Sequence, residues 1–147
     1  MSYEKNKQSL KLFIVLSRAT KVINEQVNEY IYESGLNPTE FAVLELLYHK
    51  GPQPLQQIGN KILMASGSIT YVVDKLEKKN LLARKTNEKD RRVIRAEITD
   101  QGRQLIDEIF PQHEENIHQL MNVLSEEERE TAIALIRKLG VSIKDLS

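Results

Sequence analysis

The chain has 147 residues, about the length of one domain. Its 21 Lys and Arg balance its 21 Asp and Glu, and with 40% hydrophobic residues it is not a disordered polymer. The longest apolar run, Leu12 to Leu16, falls far short of the ~20 residues of a membrane span, and the absence of cysteine excludes disulfides, thiolate metal sites, a cysteine nucleophile and thiol redox sensing. No apolar signal core follows the N-terminus, so the expected location is the cytoplasm, with no membrane partner.

In chain order, apolar residues at three- and four-residue spacing (Leu12, Val15/Leu16, Ala19, Val22/Ile23, Val27, Tyr30/Ile31) predict a long amphipathic helix from about Lys5 to Glu33, ended by Gly35. Asn37-Pro38-Thr39-Glu40 predicts a capped start for a second helix carrying Phe41, Val43/Leu44 and Leu47/Tyr48, which stops at Gly51-Pro52. Two short helices are expected next, Leu55 to Lys61 and Ser66 to Lys79. Leu55, Ile58 and Ile62 face inward from the first, and Ile69, Val72/Val73 and Leu76 from the second. Ser66 is the expected N-cap, and Asn80 suits the left-handed position after the helix. Short helix, tight turn, helix is a helix-turn-helix layout.

The period changes at Leu81. Leu81–Lys85 and Val93–Thr99 read as strands, with Ile94, Ala96 and Ile98 on one face of the second, around the charged tip Thr86–Arg92. Two strands after a helix-turn-helix make a wing. Thr99 caps a further long helix carrying Leu105/Ile106, Ile109/Phe110, Ile117, Leu120/Met121 and Leu124, from which Pro111 removes one backbone donor. Ser125-Glu126-Glu127-Glu128 opens a last helix, with Ala132, Leu135/Ile136 and Leu139 inward and Gly140 as its expected end.

The expected fold is mainly α with a small β-wing: a winged helix-turn-helix core flanked by long N- and C-terminal dimerisation helices. Residues 1–36 form the first of these, 37–99 the DNA-binding lobe and 100–147 the C-terminal pair, in one domain overall. The terminal stripes need cover beyond what a core of this size offers, and a second copy of the chain supplies it. A two-fold homodimer presents two recognition helices about 34 Å apart and favours a palindromic operator in duplex DNA.

Charge agrees. Between Lys61 and Arg95 stand ten basic and four acidic residues, so this segment is +6 and the remainder −6. A locally basic stretch in a neutral protein suits a polyanion met by one face. On the second helix of the helix-turn-helix, Ser66, Gly67, Ser68, Thr70, Tyr71 and Lys75 are candidate DNA contacts. Small hydroxyl residues permit close approach, and Gly67 costs helix propensity that close approach to a backbone explains. Lys78 and Lys79 suit phosphates or plain solvent. At the hairpin tip, Lys89 and Arg91 suit phosphates. Arg92 suits the negative potential of a minor groove, pre-oriented by the carboxylate of Asp90.

Ser66-Gly-Ser-Ile-Thr-Tyr-Val-Val-Asp-Lys-Leu-Glu-Lys-Lys-Asn-Leu-Leu, then Lys89-Asp-Arg-Arg, then Ile98-Thr-Asp-Gln-Gly102 resemble the consecutive blocks of the multiple antibiotic resistance regulators, the MarR family. The similarity spans roughly Asn37 to Gly102, and the flanking helices fit the family layout. It implies a homodimeric winged-helix repressor of a nearby operon, released by a small aromatic effector, phenolic or quinone-like. It assigns Asp90 and Arg92 to the family's wing Asp-x-Arg pair and Ser66, Ser68 and Thr70 to its groove-facing helix. Tyr71 departs from the pattern, where Arg is common.

The family's oxidation-sensing branch requires a cysteine that is absent here. A non-covalent ligand would bind where the dimer helices meet the DNA-binding lobe, with Phe13, Tyr30, Phe41 and Tyr48 as candidate walls. The alternatives are a metal-responsive regulator of the same fold and a protein- or RNA-binding winged helix without an operator. For metal, only His113, Glu114 and His118 cluster in sequence. Glu114 and His118 share a helix face, but His113 and His118 point about 140° apart, and His49 joins only through the fold. No metal or cofactor is therefore assigned. No Gly-rich phosphate loop, Gly-x-Ser-x-Gly elbow or His-Glu-x-x-His pair is present, and no enzymatic activity is expected.

Overall fold

The computed structural model describes residues 2–62 and 66–144, with the side chains of Ser66 and Gly67 outside the described set. The expected N-cap role of Ser66, the side-chain roles of Ser66 and Gly67, and the turn 63–65 therefore lie outside the described residues. The elements run α1 (Ser2–Glu33), α2 (Pro38–Lys50), β1 (Gln53–Pro54), α3 (Leu55–Lys61), α4 (Ser66–Lys78), β2 (Leu82–Thr86), β3 (Ile94–Ile98), α5 (Asp100–Met121) and α6 (Glu126–Ile143). They divide into two compact units, one ending at His113 and the other beginning at Glu114.

In the larger unit, α1 ends at Glu33, two residues before Gly35, which takes φ +94° as the amides of Ser34 and Gly35 close onto the Ile31 and Tyr32 carbonyls. The capping box at α2 forms as its residues require. The Asn37 side chain accepts from the Glu40 amide at 2.8 Å, and Glu40 accepts from the Asn37 amide at 3.0 Å. Leu44 and Leu47 of α2, Ile58 of α3, Val73 and Leu76 of α4, Leu82 and Ala96 of the strands and Ile106 of α5 are fully buried together, the core of a helix-turn-helix closed by a sheet. Asn80 adopts φ +62°, the left-handed position expected after α4.

The sheet order is β1-β3-β2, antiparallel throughout, with Leu82 opposite Ile98 and Thr86 opposite Ile94. β1 has no counterpart in the sequence reading. Gln53 pairs with Ala96 and Pro54 with Arg95, so the segment entering α3 is tied to the base of the wing. The inward face of β3 is also shorter than the alternation predicts. Ala96 and Ile98 are buried, whereas Ile94 stands exposed because it lies beyond the core, toward the hairpin tip.

Close approach fixes the junction of wing and α5. Thr99 caps α5, its Oγ1 accepting from the Gly102 amide at 3.0 Å and donating to the Asn80 carbonyl at 2.7 Å. A Cβ at Gly102 would fall 2.2 Å from the Leu81 carbonyl oxygen. Only glycine fits there.

In the smaller unit, the Ser125 side chain accepts from the Glu128 amide at 3.1 Å and Glu128 accepts from the Ser125 amide at 2.9 Å. These bonds hold the Glu128 carboxyl below its ordinary pKa. Gly140 does not end α6, as the sequence suggested. The helix continues to Ile143, and the Gly140 carbonyl accepts from the Lys144 amide at 2.9 Å. No residue of α6 is buried, and its apolar side chains Ile133, Leu135, Ile136 and Leu139 lie open. On α1, Leu10, Leu12, Phe13, Val15 and Val22 are likewise exposed, although Ile31 at its end is buried. The stripe predicted for α6 is present and uncovered, and that of α1 is open toward its N-terminal half, whereas Leu105, Ile106, Ile109 and Phe110 of α5 pack on the core.

Candidate nucleic-acid interface

The interface is built on α4 and the β2–β3 hairpin. Burial of Ile69, Val72, Val73 and Leu76 fixes one side of α4 against the core, which leaves Ser68, Thr70 and Tyr71 exposed on the rest of its surface. Lys75 lies one turn beyond Tyr71, its Nζ 5.8 Å from the ring centroid, a cation–π distance.

The hairpin tip is shaped by its own polar side chains. Asn87 Oδ1 accepts from the Lys89 amide at 3.0 Å, an Asx-type turn, and the amides of Asn87 and Val93 close the loop onto the carbonyls of Val93 and Asp90. Asp90 Oδ1 accepts from the Arg92 amide at 3.1 Å and from its Nε at 3.2 Å. The Arg92 side chain is nonetheless 92% exposed, so its outer guanidinium nitrogens face solvent while its inner edge is held. Lys89 and Arg91 are exposed beside it.

Thr70 and Arg92 rim one groove of about 510 Å³, whose floor and walls are Pro54, Leu55, Gln56, Ile69, Val93 and Ile94. The wall residues were not foreseen as part of the site. The sequence placed Ile94 on one face with Ala96 and Ile98 and carried no signal that it would line this groove.

Charge on this lobe is partly spent internally. Arg84 bridges Asp74 at 2.5 Å and Glu77 at 3.0 Å, fastening β2 to α4. Lys79 bonds to Glu40 at 2.8 Å, so it ties α4 to α2 and is not spare for phosphate. Glu40 is 2% exposed. Burial pushes its pKa up, but the Lys79 hydrogen bond, the Asn37 amide and the charges of Lys79 and Lys75 outweigh burial and hold it below the ordinary value. Lys85 pairs with Glu97 and Arg92 with Asp90. Lys61, Lys75, Lys78, Lys89, Arg91 and Arg95 are left without a carboxylate partner among the described residues, a surplus suited to phosphates.

The four aromatic residues predicted to wall a ligand pocket part company. Phe41 is buried and stacks 4.6 Å from His113. From there a run of rings continues through Phe110 and His49 to Tyr48, with centroid spacings of 5.8, 5.4 and 5.0 Å. The Tyr48 hydroxyl donates to Asp107, which raises the phenol's pKa, with desolvation and the Asp107 charge adding to the effect and the Arg103 charge opposing it. Phe13 is 66% exposed on α1 and Tyr30 is half-buried, and neither makes a ring contact with this run among the described residues. His113 and His49 are packed against rings, and no three His, Asp or Glu side chains converge as metal ligands among the described residues.

The MarR family model matches residues 36–94, the lobe just described. The HTH-type transcriptional regulator MhqR of Bacillus subtilis is 61% identical over 137 residues, 93% of this chain and 94% of that protein. The chain belongs to the MarR family. Two solved structures share its architecture. A MarR family protein from Bacillus stearothermophilus superposes with a TM-score of 0.80 at 21% identity, covering 95% of this chain and 98% of that one. BpsR of Bordetella bronchiseptica, whose DNA binding is regulated by 6-hydroxynicotinic acid, superposes with a TM-score of 0.77 at 25% identity, over 88% and 98%. The winged helix-turn-helix expected from the sequence is thus the fold, and transcriptional regulation the activity of its kin. No described helix is long and apolar enough to cross a membrane.

Proposed function

We propose that this MarR-family chain is a homodimeric repressor that grips a palindromic operator and lets go when a small hydroxylated aromatic ligand binds. The observation that carries this reading is the pairing of Thr70 and Arg92 on one groove, with Arg92 pre-oriented by Asp90. A helix crest enters a major groove while a held arginine, already paid part of its ordering entropy, enters the adjacent minor groove. Ser66, Gly67, Ser68, Thr70, Tyr71 and Lys75 make the helix contacts, and Lys89 and Arg91 take phosphates beside Arg92.

Residues 37–99 act as the DNA-binding lobe, and residues 1–36 and 100–147 as the dimer helices. The exposed apolar residues of α1 and α6 support that assignment, because a second copy offers the matching stripes. Cytoplasmic location follows from DNA as the partner. For the effector, Phe41 and Tyr48 beside Phe110 and His49 supply aromatic walls, and Asp107 a polar anchor. Regulation of BpsR by a hydroxylated aromatic acid supports the chemical class.

The test is a mobility shift of the DNA upstream of the chain's own gene across a salt series, repeated with phenols, quinones and hydroxynicotinic acid. Retardation that falls steeply with salt and is relieved by one ligand class is expected. Binding indifferent to salt would reject contact through phosphates, and no relief by any aromatic would reject the effector.

A further inference from the structure

Among the described residues of α4, one large ring stands open on the surface that faces away from the core. Ile69, Val72, Val73 and Leu76 are buried, so at 100° per residue the side of α4 farthest from the core runs between Asp74 and Tyr71 through Lys78, with half-buried Lys75 on its flank, and Tyr71 lies about 30° from that line. Tyr71 is 66% exposed, and among the described residues of α4 it is the only large apolar side chain left open. A crest residue is the one that reaches deepest when a helix lies in a major groove.

A phenol cannot grip guanine there. Guanine presents two acceptors, O6 and N7, which call for a two-donor fork, and Tyr has a single hydroxyl. What a ring face offers is apolar contact, and the major groove holds one apolar group, the 5-methyl of thymine. Lys75 sharpens the match. Half-buried one turn on, with its Nζ 5.8 Å from the ring centroid, it lies against the ring and limits its freedom. The hydroxyl remains free for phosphate or water.

We propose that Tyr71 selects thymine in each operator half-site by packing its ring against the 5-methyl group, with Lys75 holding the ring in place. This deepens the DNA-binding reading above and rests on it.

The probe is the duplex most enriched by the full-length protein from a random library of about 30 base pairs, long enough for two half-sites. Each thymine is replaced in turn by deoxyuridine, which removes only the methyl. One symmetry-related pair of replacements should weaken wild-type binding about fourfold per half-site, the value of one buried methyl. Tyr71→Phe should keep that sensitivity and Tyr71→Ala should lose it, and Lys75→Met should blunt it. If wild type and Tyr71→Ala respond alike at every deoxyuridine position while both still enrich a specific duplex, the thymine assignment is overturned and the DNA-binding reading stands. If no duplex is enriched at all, both fall.

Discussion

Asp90 holds Arg92 through two hydrogen bonds to a single carboxylate oxygen, one from the backbone amide and one from Nε, while leaving the guanidinium's outer edge in solvent. The acid therefore orients the base without covering it. Removing the acid makes the wing more positive yet less ordered, and the two effects have opposite signs. Asp90→Ala is expected to weaken operator affinity about threefold to tenfold, since about 1 kcal/mol of ordering is lost. Tighter binding in a mobility shift would mean that bulk charge, not orientation, governs the wing.

Arg92→Ala should cost more, about tenfold to a hundredfold, and lower the slope of log affinity against log salt by about 1. The oligomeric state should not change. Fluorescence anisotropy at several salt concentrations, with sedimentation as the control, checks both statements.

Gly102 admits no side chain, because the Leu81 carbonyl oxygen would stand 2.2 Å from its Cβ and is part of the backbone. Relief requires moving either α5 or the turn between α4 and β2 that holds Leu81. Gly102→Ala should lower unfolding free energy by about 1–3 kcal/mol, visible in urea denaturation. A variant as stable as wild type would show that the junction relaxes freely.

The Glu40–Lys79 contact makes stability depend on pH in one direction. The folded-state pKa of Glu40 lies below its ordinary value near 4.5. Its contribution is therefore complete above that ordinary value and is lost as pH falls through the lowered one. In Glu40→Gln the loss in this acid window should be shallower, and at neutral pH the variant should be less stable by about 2 kcal/mol, the value of a charged hydrogen bond. Thermal melts between pH 3 and pH 7, a range chosen on these grounds, would disprove the role if both proteins lost stability in parallel.

The open face of α6 bears on assembly. In the proposed homodimer, where α6 helices meet a second copy, Leu135→Glu would place a charge on a residue buried twice, once in each copy. The dimer dissociation constant should rise on the order of a thousandfold, because each of the two buried Leu contributes about 2 kcal/mol. Analytical ultracentrifugation that finds the same dimer in both proteins would move the interface elsewhere.

What could be read from the sequence was whatever is local. Asn37 with Glu40, and Ser125 with Glu128, each form a three-residue circuit of side chain and backbone, and both appear as expected. Asp90 and Arg92 are two residues apart and find one another for the same reason. The misreadings have a different origin. β1 is two residues long and includes a proline, so it has no period to detect. It exists because β3 offers an unpaired edge. Lys79 looked like a spare cation until the fold brought α2 beside it. Gly140 looked like a stop, but a glycine ends a helix only when the chain turns there, and here the next residues stay helical. The ring run from Phe41 to Tyr48 joins α2 to α5 across more than sixty positions at its Phe41–His113 step, beyond the reach of spacing arguments.

Gln53 and Pro54 lock β3, the strand that follows the Arg92 tip, to the residues that launch α3. If α4 and the wing contact nucleic acid as proposed, the helix pair and the hairpin are therefore geared rather than independent. A force that tilts the helix pair drags the hairpin's root with it, so the effector proposed above would need to move only one part to displace both.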